Sequence, residues 1–119
     1  MLAVLSALAV SAAPFKVTLT APTHTPKVNT RWNYSVRVSD NAGKPIRGYL
    51  TAQVVDPFGG VHPTAFDGTT KPIVNFLFKG TFRDYVEWPS ESRGFKLTFR
   101  VTVASGGKAV RLTYWIKAR

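Results

Sequence analysis

An all-β fold, an antiparallel β-sandwich of about seven strands, is what the sequence predicts. After Pro14, apolar residues recur at every second position in short runs, the period of a strand with one face buried. Pro, Gly, Asn and Asp separate the runs, and these residue types favour tight turns. A helical apolar period is nowhere sustained.

The elements follow in order. Phe15, Val17 and Leu19 share one face of a first strand, and Lys16, Thr18 and Thr20 the other. Trp32, Tyr34, Val36 and Val38 repeat the pattern against Arg31, Asn33, Ser35 and Arg37. Residues 39–45 form a turn, residues 46–56 a third strand, and Pro57-Phe-Gly-Gly60 breaks it. A fourth apolar run spans 73–78 after a turn at 67–70, and a fifth, 81–88, ends before Pro89. The chain closes with a hairpin about Gly106-Gly107, because the favoured short hairpin turns require positive φ. Val103 then faces Val110, Val101 faces Leu112, Phe99 faces Tyr114 and Leu97 faces Ile116, all apolar pairs. The other face pairs Thr102 with Arg111, Arg100 with Thr113, Thr98 with Trp115 and Lys96 with Lys117. A slip of one residue would bury the charges, so the pattern pins the register.

The stretch Ser92-Arg-Gly-Phe-Lys-Leu-Thr-Phe-Arg-Val-Thr-Val103, with its glycine turn and alternating last strand, resembles the final two strands of bacterial immunoglobulin-like and fibronectin type III-like domains. Val38-Ser-Asp-Asn-Ala-Gly-Lys-Pro-Ile46 is similar to a strand-turn-strand motif of bacterial immunoglobulin-like modules. The resemblance implies an immunoglobulin-like β-sandwich acting as a binding, spacer or adhesion module. Phe95 stands where many such domains carry Tyr after the glycine, so the hydroxyl that would tie that corner to backbone is lacking.

Residues 1–13 are uncharged and apolar or small, and read as an export signal. No Lys or Arg precedes the apolar run, so either the start lies upstream of Met1 or the signal is a weak one. Both Ala7/Ala9 and Val10/Ala12 offer the residues a signal peptidase needs at −3 and −1, and the bond after Ala12 is favoured, giving a signal peptide over 1–12 and a single domain over 13–119. A spanning helix needs about 20 apolar residues, so no membrane span is expected in the mature chain. A buried first helix is the competing reading of the segment. The chain has no cysteine, so a domain in an oxidising compartment would be held by packing alone. These features place the protein outside the cytoplasm, secreted or in the cell envelope.

With 16 Lys and Arg against 6 Asp and Glu the net charge is +10, which speaks to partners and solubility rather than fold. A nucleophile with its base, or an acid and base carboxylate facing one cleft, is not recognisable, so the protein is read as no enzyme, with no catalytic, cofactor-binding or metal-ligating residue assigned. No glycine-rich phosphate loop precedes a helix. His24 and His62 read as exposed loop residues, and the six acids as turn formers or local partners of basic neighbours.

Two surfaces stand out. Residues 93–119 hold seven basic residues and no acid, and Lys96, Arg100, Arg111 and Lys117 fall on the outward hairpin face with Trp115 among them. Such a stripe suits an anionic envelope polymer, or another envelope protein; nucleic acid ranks lower for an exported chain. The bland reading is a solvated strand face whose edge lysines discourage strand pairing. The second surface is the loop 56–70, longer than most connections, with Phe58, His62 and Phe66 as its contact residues. The alternative function is a small-ligand or metal carrier using that loop, with His62 beside Asp56 or Asp67.

Overall fold

The alternating runs pair into two antiparallel sheets. The structure, a computed structural model, describes residues 14–67 and 69–119. The predicted signal over 1–12 and its cut after Ala12 lie outside the described residues. The strands are β1 (Lys16–Thr20), β2 (Arg31–Ser39), β3 (Arg47–Val55), β4 (Val61–Pro63), β5 (Phe76–Lys79), β6 (Thr81–Glu87), β7 (Lys96–Ser105) and β8 (Lys108–Lys117). One sheet has the order β1-β2-β6 and the other β4-β3-β7-β8, with β5 also paired to β3.

Alternation decides which side chains meet between the sheets. Trp32, Tyr34, Val36 and Val38 of β2 are buried, as are Leu50 and Ala52 of β3 and Phe99, Val101 and Val103 of β7. Each such large apolar side chain contributes about 1.5–3 kcal/mol by leaving water. Trp32 sits among aromatic rings, edge-on to Trp88 at 5.4 Å and to Phe99 at 5.2 Å. Its indole N–H donates to the Thr23 carbonyl at 2.8 Å, so the one polar atom of this ring is satisfied.

The β7–β8 hairpin has the register read from the sequence: Val103 opposite Val110, Val101 opposite Leu112, Phe99 opposite Tyr114 and Leu97 opposite Ile116. Gly106 and Gly107 take the positive φ values the turn requires, 57° and 77°.

Three expectations need correction. The run predicted over 73–78 is a strand only at Phe76–Lys79. Asn75 has a φ of 47°, which bends the chain, and Ile73 enters the core by itself. Its N–H donates to the Thr64 carbonyl at 2.7 Å and its carbonyl accepts from Ala52 at 3.1 Å, so a non-strand residue is tied to β3. The stretch 56–70 is not one loop either, because β4 pairs with β3 within it. Asp56, Pro57 and Gly59 are the residues that a tight turn with a glycine bulge favours, and Gly59 has a φ of 88°. The third correction is His24, which is half-buried rather than a solvated loop residue.

His24 belongs to a segment that leaves β1 and runs beside the end of β8. Lys117 donates to the His24 carbonyl at 2.8 Å, Arg119 to Pro26 at 2.9 Å, and Val28 to Arg119 at 3.1 Å. The partners advance together along both chains, so the contact is parallel. It covers part of an otherwise open sheet edge.

Candidate functional site

The outward face of the five-stranded sheet follows from the cross-strand partners. Lys96 lies opposite Lys117, Thr98 opposite Trp115, and Thr102 opposite Arg111. On the other side of β7, Arg100 lies opposite Gln53, and at the far end of β3 Arg47 lies opposite Lys79. One face therefore presents Arg47, Lys79, Lys96, Arg100, Arg111 and Lys117, and none of its strand positions carries an acid. All the predicted hairpin residues share this face.

Their side chains are not neutralised locally. Among the described residues, the one ion pair joins His62 and Asp56, and no Lys or Arg is paired with a carboxylate. This corrects the expectation that the acids partner basic neighbours. The Arg100 guanidinium donates through Nε and Nη2 to Gln53 Oε1 at 3.2 and 2.9 Å, which lays it half-buried along the sheet rather than out into water. Lys96 Nζ stands 5.5 Å from the centroid of the Trp115 ring, within the range of a cation–π contact.

Trp115 is itself held in place from below. The His24 ring stacks on it at 4.1 Å and 13° and on Tyr114 at 3.9 Å and 8°. His24 Nδ1 lies 2.6 Å from the Trp115 carbonyl. A carbonyl can only accept, so Nδ1 carries the proton. The indole remains 43 % exposed, a flat apolar surface fixed among cations.

The second region lies at one end of the sandwich, where a cleft of about 880 Å³ opens between the β3–β4 turn, the segment after β4, the end of β6 and the start of β7. The three predicted loop residues Phe58, His62 and Phe66 all line it. Asp56 organises the turn: its Oδ1 accepts from Phe58 and Gly60, both at 2.8 Å, and its Oδ2 meets His62 Nε2 at 2.8 Å. These contacts, His62 first, hold the Asp56 carboxyl below the usual carboxylate range. The Asp84 carboxylate of β6 accepts from the Asp67 N–H at 3.2 and 3.1 Å, which ties the opposite wall to the three-stranded sheet.

Sequence reasoning missed Thr64, Trp88 and the two acids Glu87 and Glu91 as parts of this cleft. Trp88 read as the end of a strand before proline, and no local pattern distinguishes a cleft tryptophan from a core one. Among the described residues, no group of three or more His, Cys, Asp or Glu side chains is placed to share a metal ion. No helix of the described residues is long and apolar enough to cross a membrane. Comparison with protein-family models, curated proteins and solved structures finds no match for the chain.

Proposed function

We propose that the chain is a non-enzymatic, exported binding module of the immunoglobulin-like class that docks an anionic envelope polymer on the outward face of its five-stranded sheet. The observation that carries this reading is the set of six unneutralised cations on that face, with a partly exposed tryptophan fixed among them. A polymer with a regular negative charge would meet several cations at once and release its own counterions, while its apolar parts lie on Trp115.

The immunoglobulin-like class is supported by the strand order, in which β1, β2 and β6 face a sheet containing β3, β7 and β8, as strands A, B and E face C, F and G in that fold. Export is supported by the apolar stretch 1–13 alone. The non-enzymatic reading is supported by the use of His62 and Asp56 to close a turn rather than to activate a nucleophile.

Binding to a teichoic-acid-type polyglycerol phosphate tests the proposal. With four to six phosphates neutralised, affinity should fall about 10²–10³-fold between about 50 and 200 mM salt. Arg100→Glu with Arg111→Glu should abolish binding, whereas Lys27→Glu with Lys44→Glu, an equal change in net charge elsewhere, should leave most of it. Equal loss in both double variants would mean that overall charge, not this face, does the binding.

A further inference from the structure

The outer edge of β8 has room for one more strand. β8 closes the five-stranded sheet and pairs with β7 along its whole length. In an antiparallel ladder alternate residues bond to the neighbouring strand, and the residues between them turn both backbone groups the other way. Lys108 and Ser105 flank the two-residue turn, so Lys108 and every second residue after it bond to β7. Ala109, Arg111, Thr113, Trp115 and Lys117 therefore face the open side. The chain's own segment takes up that side at one end only: the His24 carbonyl accepts from the Lys117 N–H at 2.8 Å, and His24 Nδ1 donates to the Trp115 carbonyl. Among the described residues, the N–H and C=O groups of Ala109, Arg111 and Thr113 have no hydrogen-bond partner.

Exposed strand edges are ordinarily blunted by proline, a bulge, short length or several charges. β8 is ten residues long, has no proline or bulge, and between Ala109 and Trp115 carries a single charge, Arg111. On the opposite edge of the sheet β4 and β5 have only three and four residues. The side chains beside the open backbone are also incompletely covered. Val110, Leu112 and Tyr114 point into the sandwich yet stay half-buried, as do Val17 and Leu19 of β1, the neighbouring edge strand of the other sheet. The inward side chains Phe99, Val101 and Val103 of β7 have no exposed surface. The seam between the sheets is thus open along the stretch where the backbone is unpaired.

A peptide added to a sheet edge gains affinity from main-chain bonds and selectivity from its alternate side chains. Here the inward set would close the seam over Val17, Leu19, Val110 and Leu112, and must be apolar. The outward set lies beside Ala109, Arg111 and Thr113, on the face that holds Lys96, Arg100 and Lys117 and no acid. A second copy of this chain, with its net charge of +10 and with Lys108, Arg111 and Lys117 on its own β8, is repelled. We infer that the open edge of β8 over 109–115 binds an extended acidic peptide segment, apolar residues alternating with Asp or Glu, as a further strand of the sheet.

The probe is an acetylated octapeptide alternating valine and glutamate, compared with versions in which lysine replaces glutamate or serine replaces valine. With the full chain, the glutamate peptide should slow hydrogen exchange at the Ala109, Arg111 and Thr113 amides. It should bind at least about tenfold more tightly than the lysine peptide. The serine version, with nothing to close the seam, should bind severalfold more weakly. Thr113→Pro removes an N–H that the β7 ladder does not use, a position where an edge strand tolerates proline. It should weaken the glutamate peptide at least about tenfold, while the Val101 and Leu112 amides, a bonded pair of the ladder, stay protected. Arg111→Glu, at an exposed position, should reverse the preference between the glutamate and lysine peptides. Equal binding of those two peptides by the parent chain overturns the inference. So does binding that moves the Lys96 and Arg100 signals but leaves the three edge amides unprotected, because the peptide then lies on the outward face. Protection of those amides that rises with chain concentration, in the absence of peptide, would make a second copy the occupant and overturn it as well.

Discussion

Replacing Val101 by Thr exchanges a methyl group for a hydroxyl at nearly constant volume, so it isolates the cost of burying one polar group. Val101 has no exposed surface, and β7 is paired with β3 on one side and β8 on the other, so the backbone around it is already used in ladders. A hydroxyl there finds no partner and costs about 1–3 kcal/mol. With a urea m-value at the low end of its range, about 1 kcal/mol/M, the midpoint should fall by about 1–3 M with an unchanged slope. The reciprocal change one residue along, Thr102→Val, acts on the outward face. Thr102 is half-buried there and its Oγ1 accepts only a 3.5 Å contact from Arg111 Nε. Its effect should stay within about 0.5 kcal/mol. Urea melts of the two variants beside the parent settle the matter: equal destabilisation by both would refute the assignment of faces on which the basic surface depends.

Two further predictions concern titrating groups. Burial, with the nearby Asp84 charge, pushes the Tyr34 hydroxyl far up, and that hydroxyl has no partner. Since the folded value exceeds the unfolded one near about 10, stability should fall as pH rises above that point. Tyr34→Phe should remove this slope and leave neutral-pH stability equal or higher; a loss of more than about 1 kcal/mol would reveal a partner for the hydroxyl. The Asp56 carboxyl is held low chiefly by His62, then by the Gly60 N–H, so its contribution is present above about pH 4 and lost as pH falls through its folded value. His62→Ala should move the Asp56 carboxyl resonance to titrate at higher pH, and an unmoved titration would assign the effect to the turn amides alone.

The parts of the fold that were legible are those specified by neighbouring residues. Residues 97–103 and 110–116 alternate strictly about two glycines, and with one face apolar only one register keeps Arg100 and Arg111 out of the core. The stripe of cations could be read from the same alternation. Its extension to Arg47 and Lys79 could not, because it depends on β3 lying beside β7 and β5 beside β3. Ile73 looked like the start of a strand because its burial, as a single plug behind a bend at Asn75, is a tertiary fact with no period. His24 failed for the same reason: its stacking partners, Tyr114 and Trp115, lie at the other end of the chain. The cleft was half legible. Phe58, His62 and Phe66 were found because a long connection rich in aromatic residues is unusual, whereas Thr64 and Trp88 join the cleft only through the packing of the segment after β4 and the end of β6.

Mapping a polyanion directly onto the molecule is the most direct measurement. In an amide and side-chain NMR titration with polyglycerol phosphate at low salt, the resonances of Lys96, Arg100, Arg111, Lys117 and the Trp115 indole should move together and saturate together. Signals from β1, β2 and β6 should stay still, because the three-stranded sheet presents its outer face on the opposite side of the core. Shifts that spread over both sheets in proportion to their Lys and Arg content would contradict a defined binding face.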